Sequence, residues 1–485
     1  MDSAPEYWLT RLFLQRGLAL IYLIAFVVVV NQFRPLCGEK GLLPAPQFIR
    51  ETPFREAPSL FYLSPRDEAF AILGWLGVLL AVLALTGLSE RFGTLTSVAV
   101  WGLLWVIYLS FVNIGQTFYG FGWESMLLEG GFLAIFLGAA NSAPQAIVIW
   151  LFRWLVFRVM FGAGLIKLRG DPCWRQLTCL DYHFETQPMP NPLSWYFHWL
   201  PGWVHKGGVI FNHLAELPAP FFCFAPQPVA AVAGLVIIIF QLSIMVSGNF
   251  SWLSLLTIVL AFSALSDAQL SRLVPVTPPQ LTQPLQFQVA ATWGLALLVI
   301  FLSVRPVRNL LSREQVMNTS YNPLHLVNTY GAFGSITKER YEIVIEGSDE
   351  ALATATTRWR EYEFRGKPGD PLKMAPQIAP YHLRLDWLMW FAAMPSFYYD
   401  PWFIHLLKRL LDGDPATLSL LKGNPFPAAP PRLIRALHYR YRFSTPDERS
   451  RTGMWWQREL ARTYFPVVSL ADPTLRELLQ QLGYQ

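Results

Sequence analysis

Long apolar runs, separated by short polar breaks, constrain the fold of this 485-residue chain more than any other feature. A helix of about 20 apolar residues is long enough to cross a bilayer. Mean hydropathy is +0.32 and only 15% of the residues are charged, which excludes an ordinary soluble protein and a disordered chain. We therefore predict an all-α polytopic membrane bundle with about nine spans, three of which, beginning at Met126, Gly208 and Trp252, are short enough to be re-entrant or half-helices.

The charge of the chain argues against nucleic acid as a partner. The 38 basic and 33 acidic residues give a formal net charge of +5, and they are dispersed along the sequence. A nucleic-acid-binding protein concentrates its basic residues on one face. This class of function is therefore excluded.

The composition changes after residue 308, where the apolar runs end. Alternating apolar and polar residues predict strands at residues 341–346, 359–364 and 437–443, and a helix is predicted at residues 402–411. We therefore predict a transmembrane helical domain at residues 1–308, with a structured loop at 169–206. A soluble, β-rich α+β domain at residues 309–485 follows and is large enough for its own core.

Ionisable residues cluster in the predicted spans between residues 124 and 216. Each costs roughly 2.5 to 3.5 kcal/mol at membrane depth on insertion scales, so each requires a partner or a purpose. Arg158 and Lys167 lie on opposite faces of one helix, and Glu129 and Glu216 are the expected counter-charges. Two interpretations stay open: ion pairs that fix helix register, or a functional polar cavity. The predicted polar cluster comprises Glu124, Glu129, Arg153, Arg158, Lys167 and Arg169, and the candidate catalytic residues are Lys167, His213 and Glu216.

A proline-rich loop between two predicted spans is the most unusual stretch of the sequence. Pro188, Pro190 and Pro192 each fix the backbone φ angle and remove a hydrogen-bond donor, so the loop is predicted to be rigid. Cys173 and Cys179 enclose five residues, and three interpretations stay open: a disulfide, two free thiols, or a metal-binding or redox-active pair. The chain contains no complete catalytic or cofactor-binding motif, so no cofactor and no metal is predicted.

Several motifs, found in one order along the chain, resemble the signature of the lipase maturation factor family. They are residues 122–125, 129–132, 169–171, 173–175, 177–179, 185–192, 247–249, 327–334 and 340–342. The resemblance implies a multi-pass membrane protein that helps secreted lipases or other exported proteins to fold and assemble, as a chaperone-like factor rather than an enzyme.

The same resemblance implies a location and a client-facing surface. The compartment is the endoplasmic reticulum membrane in a eukaryote or the inner membrane in a bacterium, with the C-terminal domain on the lumenal or periplasmic side. The implied partners are the client and membrane lipid. The residues assigned to the client-facing loop are Asp171, Trp174, Arg175, His183, Glu185, Gln187 and Asn191, with the cysteine pair among them.

A second, more distant resemblance concerns only residues 161–168, which are similar to an element of the vitamin K-dependent γ-carboxylases. In those enzymes a lysine in this neighbourhood acts as the base. The alternative that this similarity implies is an intramembrane enzyme acting on a lipid, a lipid-linked group or a protein, with Lys167 as base.

Overall fold

The computed structural model describes residues 7–276, 278–394 and 399–482, and six helices within them are long and apolar enough to span a membrane. The sixth of these spans consists of two consecutive helices, Gln286–Leu302 and Val304–Leu311. In chain order the spans are Trp8–Cys37, Asp67–Thr86, Thr94–Ile114, Ala146–Arg169, Val229–Ser247 and Gln286–Leu311.

The expected total of about nine spans is not confirmed within the described residues. The three short apolar runs do form helices, but Gly122–Ala134, Gly202–Glu216 and Leu253–Ala261 contain 13, 15 and 9 residues. At about 1.5 Å per residue the longest of them reaches about 22 Å, whereas the hydrocarbon core is about 30 Å thick. None of the three can cross the bilayer upright by itself, as their length in the sequence suggested.

Apolar side chains cover the outside of the bundle, as contact with lipid requires. Ile72, Trp75 and Leu79 of the second span are 66%, 61% and 55% exposed. The fourth span differs, because 72% of the residues in its most apolar stretch are buried within the protein. Its charged side chains therefore meet protein rather than lipid, which is the usual environment of charges at membrane depth.

Short helices complete both parts of the chain. Those between the spans not yet named are Ala45–Glu51, Leu88–Arg91, Pro172–Arg175, Leu180–Thr186, Ser194–His198, Ala219–Phe222 and Asp267–Leu270. Single 3₁₀ turns occur at Leu60–Tyr62, Gln116–Tyr119 and Phe262–Ala264. The helices after residue 311 are Arg384–Ala392, Pro401–Leu411, Pro415–Leu418, Pro446–Thr452 and Pro473–Gln481.

An antiparallel sheet of four strands organises the C-terminal part. The strands are β1 (Arg340–Ser348), β2 (Arg360–Glu361), β3 (Leu433–Phe443) and β4 (Trp456–Val468), in the order β2-β1-β3-β4. The predicted strands around 341–346 and 437–443 and the predicted helix at 402–411 are confirmed. The strand predicted at 359–364 pairs over only Arg360 and Glu361. Tyr362 still donates to the Ile345 carbonyl of β1, but the Glu363 carbonyl accepts from the amide of Lys422 instead.

The C-terminal part packs directly on the bundle. One continuous hydrophobic cluster contains Trp252 and Phe118 of the helical bundle together with Trp387 and Trp402 of the C-terminal part, which we call the tail. The division into domains at residues 308 and 309 stays a prediction, but the two parts share this core. The first span and the loop after it also contact the tail, since Gln32 donates to the carbonyl oxygen of His382 and His405 contacts that of Leu42.

Candidate functional site

A buried ion pair joins the fourth span to the helix Gly122–Ala134. The Arg158 guanidinium pairs with the Glu129 carboxylate and donates to the carbonyl oxygen of Asn328 at 2.7 Å. Glu129 also accepts from the Tyr330 hydroxyl at 2.8 Å and from the Asn328 side chain at 3.1 Å. Each partner of this pair is thus hydrogen-bonded on more than one side, which offsets the cost of removing two charges from water. The segment at 327–334 closes the cluster from the tail side.

A second buried pair lies on the opposite face of the same span. Lys167 Nζ is 2.5 Å from Glu216 Oε1 and 3.0 Å from Asn212 Oδ1, and Asn212 donates to the other Glu216 oxygen at 2.9 Å. The predicted counter-charges of Arg158 and Lys167 are therefore both confirmed. His213 points away from this pair and contacts the carbonyl oxygen of Trp174 at 3.1 Å.

Glu124 has a partner that lies far away in the sequence. Its carboxylate accepts from Arg384 at 2.7 Å and from the Tyr108 hydroxyl, and all three side chains are buried. The Arg384 guanidinium also stacks 3.5 Å from the centre of the Tyr119 ring. This contact attaches the tail helix Arg384–Ala392 to the bundle.

The two remaining members of the predicted polar cluster bind mainly backbone and amide oxygens. Arg153 donates to the carbonyl oxygen of Ser263 at 2.7 Å, and Arg169 donates to Gln315 at 2.7 Å and to the carbonyl oxygen of Leu310 at 2.9 Å. The predicted cluster is therefore not one site but several separate contacts along two helices.

A cavity of about 650 Å³ lies where the bundle meets the tail. Its walls are mainly apolar and aromatic and include Trp123, Phe250 and Trp387, while Lys167, Glu216 and Gln241 provide polar groups. A smaller cavity of about 210 Å³ lies on the other side of Lys167 and is lined by Asn212 and His183 among others. Lys167 and Glu216, two of the three candidate catalytic residues, line the larger cavity. Glu129, Arg158 and His213 are not among its lining residues.

The loop after the fourth span is closed by a disulfide between Cys173 and Cys179, so this interpretation of the pair is confirmed. Asp171 begins the short helix that contains Cys173 and accepts from the Cys173 amide at 2.9 Å. Trp174 is buried and donates from its indole nitrogen to the carbonyl oxygen of Phe333 at 2.8 Å. The described residues contain no group of three or more side chains suited to hold a metal ion.

The proline-rich end of the loop is fixed by buried amide side chains. Gln187 donates to the carbonyl oxygen of Ser247 at 2.9 Å, and Asn191 donates to that of Val246 at 2.9 Å. Asn249, at the end of the fifth span, donates to Pro190 and accepts from the amide of Ile378 in the tail. Because these side chains are buried and hydrogen-bonded within the chain, they fix the position of the loop and are not available to contact another protein.

Strand β1 of the tail also binds this loop, through the side chain of Arg340. Arg340 donates to the carbonyl oxygens of Glu185, Gln187 and Pro188 at 3.0, 2.6 and 3.1 Å. The Arg340 guanidinium is neutralised by Glu342, which also pairs with Lys367. The loop therefore has a fixed position relative to both the bundle and the sheet.

Four ionisable residues of the loop have shifted pKa values, and burial lowers the pKa of one of them, His198, to about 4. Burial lowers the pKa of His183 to about 4, and the nearby Lys167 contributes in the same direction. Burial raises the pKa of Glu185, although a hydrogen bond from the Phe443 amide opposes this effect. Burial would also raise the pKa of Asp171, but hydrogen bonds from Cys173 and Lys338 lower it overall.

The outer surface of the loop exposes large aromatic side chains. Trp203 is 76% exposed, and Tyr182, Tyr196 and Trp199 are exposed as well. Among the residues predicted to face a client, Arg175 is exposed, whereas Trp174, Gln187 and Asn191 are buried. The exposed aromatic side chains on this loop therefore lie mostly outside the family motifs that were used to predict the client-facing residues.

Comparison with known proteins identifies the family of this chain. The profile described as "Lipase maturation factor transmembrane domain" matches residues 9–272, and the one described as "Lipase maturation factor C-terminal domain" matches residues 326–466. The chain belongs to the lipase maturation factor family. The family resemblance found in the motifs is thus confirmed, and the two profiles match the membrane and tail parts separately.

Lipase maturation factors of vertebrates are similar to this chain over nearly its whole length. Lipase maturation factor 1 of Bos taurus and that of Homo sapiens are each 44% identical, covering 97% and 99% of this chain and 90% of their own. Lipase maturation factor 2 of Rattus norvegicus is 31% identical over 98% of this chain and 85% of its own length. No solved structure matches the chain. The comparisons do not support the carboxylase alternative, and Lys167 is engaged by Glu216 and Asn212.

Several residues that build this region were not among those predicted. Asn249 binds both the loop and the tail, Arg340 of the tail binds the loop, and Arg384 of the tail binds the segment 118–124. Gln241 carried a signal that could have been used, since a lone amide in an otherwise apolar span indicates a functional or structural contact. Arg384 carried none, because its partners lie far away in the sequence. Arg340 lies in the motif at 340–342, but that motif gave no indication of its partners in the loop, more than 150 residues away.

Proposed function

We propose that this chain is a membrane-embedded maturation factor that assists the folding or assembly of secreted lipases in a chaperone-like manner. The proposal rests on the family to which the chain belongs and on one structural observation. The loop at residues 169–206 is held rigidly from two sides while it exposes large aromatic side chains. Exposed apolar side chains on a fixed support are the usual feature of a protein-binding surface.

Two contacts support a proposal for the side of the membrane on which the loop and the tail lie. The disulfide Cys173–Cys179 favours an oxidising compartment, because cytosolic thiols are kept reduced. The tail lies on the same side as this loop, since Arg340 of β1 donates to three of the loop's carbonyl oxygens. We therefore place the loop and the tail in the lumen or the periplasm, where an exported client is folded.

A single exposed tryptophan offers the sharpest test of the client surface. Trp203 on the loop and Trp293 on the sixth span are both mostly exposed, at 76% and 60%, so W203A and W293A remove similar surface from different sides of the molecule. In cells that lack their own lipase maturation factor, each variant is co-expressed with a secreted lipase. The measurement is lipase activity per amount of secreted lipase.

We expect W203A to reduce this specific activity several-fold, because truncation of a central aromatic contact costs about 2 kcal/mol or more of binding. W293A should behave as the unchanged protein. Equal specific activity with W203A and with no maturation factor at all would show complete dependence on this residue. Full activity with W203A would refute the loop as the client surface, and no effect of the whole protein on any lipase would refute the function.

A further inference from the structure

The larger cavity contains polar groups that the protein itself leaves without partners. Gln241 lies in the fifth span and is only 6% exposed. Within the described residues, the one hydrogen bond of its side chain goes to the thioether of Met160 at 3.4 Å, a weak acceptor. Ser254 also lines the cavity, is 2% exposed, and its hydroxyl has no partner in this part of the chain. Unpaired polar groups in a buried site are costly, so a ligand that pairs with them gains binding energy.

The charges around the cavity favour an uncharged ligand. Lys167 and Glu216 form a charged pair in its wall and neutralise each other at 2.5 Å. The third charged lining residue, Asp400, is only partly buried and accepts from the Trp402 indole at 3.2 Å. Next to the buried pair, a ligand with a net charge would either displace one member or remain unpaired, and both are expensive. Hydroxyl and carbonyl groups can instead bond to Gln241 and Ser254 without disturbing the pair.

The size and lining of the cavity fit a small amphiphile. Its volume of about 650 Å³ lies within the range of about 300 to 1,000 Å³ that is typical of small-molecule sites. Apolar and aromatic side chains, among them Trp123, Phe250 and Phe391, form most of the wall. These features suit an acyl chain or a similar apolar body.

A polypeptide segment fits this cavity poorly. Each residue of a peptide brings a backbone donor and a backbone acceptor that must be paired when water is excluded. The unpaired groups found in the cavity, chiefly Gln241 and Ser254, are too few to satisfy even a short segment. A lipid needs only one or two hydrogen bonds at its head.

We propose that the cavity binds one uncharged lipid with hydroxyl or ester groups at its head and a single apolar chain. The head bonds to Gln241 and Ser254, and the chain lies against the aromatic wall. This goes beyond the proposed function, because it assigns a small ligand to the interior of the molecule and does not depend on any client.

The test uses the full chain in phosphatidylcholine nanodiscs and a mono-oleoylglycerol that carries a photoreactive diazirine in its acyl chain. We expect labelled peptides from the fourth and fifth spans, and we expect unlabelled mono-oleoylglycerol to compete. A163F fills the cavity, since Ala163 lines it, and should lower labelling about tenfold. A291F places the same ring on the exposed face of the sixth span and should leave labelling unchanged.

Several results would overturn the proposal. They are labelling that A163F does not change, labelling confined to the outer faces of the spans, equal competition by oleate or phosphatidylcholine, and displacement of the probe by a purified lipase. The last would make the cavity a client site. If A163F melts at a lower temperature than the unchanged protein, T257F on another wall of the cavity replaces it, and competition on the unchanged protein provides a readout that needs no variant.

Discussion

Buried charged side chains in this membrane protein are stabilised by several partners each, although Arg158 Nε has no hydrogen-bond partner within the described residues. Glu129 and Arg158 illustrate the principle, because the carboxylate receives bonds from Arg158, Asn328 and Tyr330. Such a pair is expensive to break but contributes little net stability compared with apolar residues of the same size. Its value lies in joining the bundle to the segment at residues 327–334 of the tail.

Removing one member of this pair should therefore be worse than removing both charges. We expect R158M to lower the free energy of unfolding by about 3 to 5 kcal/mol, since Glu129 then stays buried and unpaired. The double variant R158M/E129Q should recover part of that loss. Unfolding in detergent, followed by intrinsic tryptophan fluorescence, measures both, and an R158M protein as stable as the original would contradict the expectation.

His183 makes the stability of the loop sensitive to acid. Its pKa is about 4 in the folded protein, whereas an unfolded histidine titrates near 6.5. As the pH falls through that interval, the unfolded chain takes up a proton that the folded chain does not, so stability is lost. The slope for one such group is at most about 1.4 kcal/mol per pH unit.

We expect H183F to reduce the loss of stability between about pH 6.5 and pH 4, because Phe keeps the aromatic contacts with Phe250 and Phe333 and does not titrate. Y182F, at the exposed neighbouring position, serves as the control and should leave the acid sensitivity unchanged. Thermal unfolding at a series of pH values measures it. Parallel curves for H183F and the unchanged protein would exclude His183 as the cause.

At the level of elements, the loop at 169–206 acts as a rigid structure because three different supports meet in it. The disulfide closes one end, buried amides fix the proline-rich segment, and β1 binds its backbone. The prolines in the sequence predict a rigid loop, and these three supports restrain it further. They did not predict where the support comes from, since Arg340 and Asn249 approach from distant parts of the chain.

Cysteine titration tests the first of these supports. The structure has a bridge between Cys173 and Cys179 and two buried free thiols, Cys37 and Cys223. The denatured protein, purified without reductant, should therefore bind two maleimides per chain, and four after reduction. The double variant C173S/C179S should lose about 2 kcal/mol of stability from the freed loop, with C223S as the control. Four labelled thiols before reduction would rule the bridge out.

The elements that the sequence predicted well are those with a local pattern. Long apolar runs became the six spans, and alternation identified β1 and β3. Strand β4 was missed because its middle, residues 459–463, is exposed on both faces and therefore shows no alternation. The partner of Lys167 could be predicted from the requirement for a counter-charge, but the partner of Glu124, Arg384, could not, because it lies 260 residues away.

On the scale of the whole molecule, the bundle and the tail together position both proposed binding sites, one on the loop and one in the cavity. The shared core and the contacts of Arg384 and Arg340 hold the tail on the end of the bundle from which the loop projects. The aromatic outer side of the loop is the proposed client surface, and the cavity beneath is the proposed lipid site. Both depend on the tail remaining docked, so the two parts should act as a single unit.

The central claim is that the loop contacts an immature lipase directly. Site-specific photocrosslinking in living cells tests it, with benzoylphenylalanine in place of Trp203 and, as a control, in place of the similarly exposed Trp293. We predict a covalent adduct between position 203 and newly made lipase that disappears as the lipase matures, and none at position 293. Absence of an adduct at 203, or equal adducts at both positions, would contradict the account.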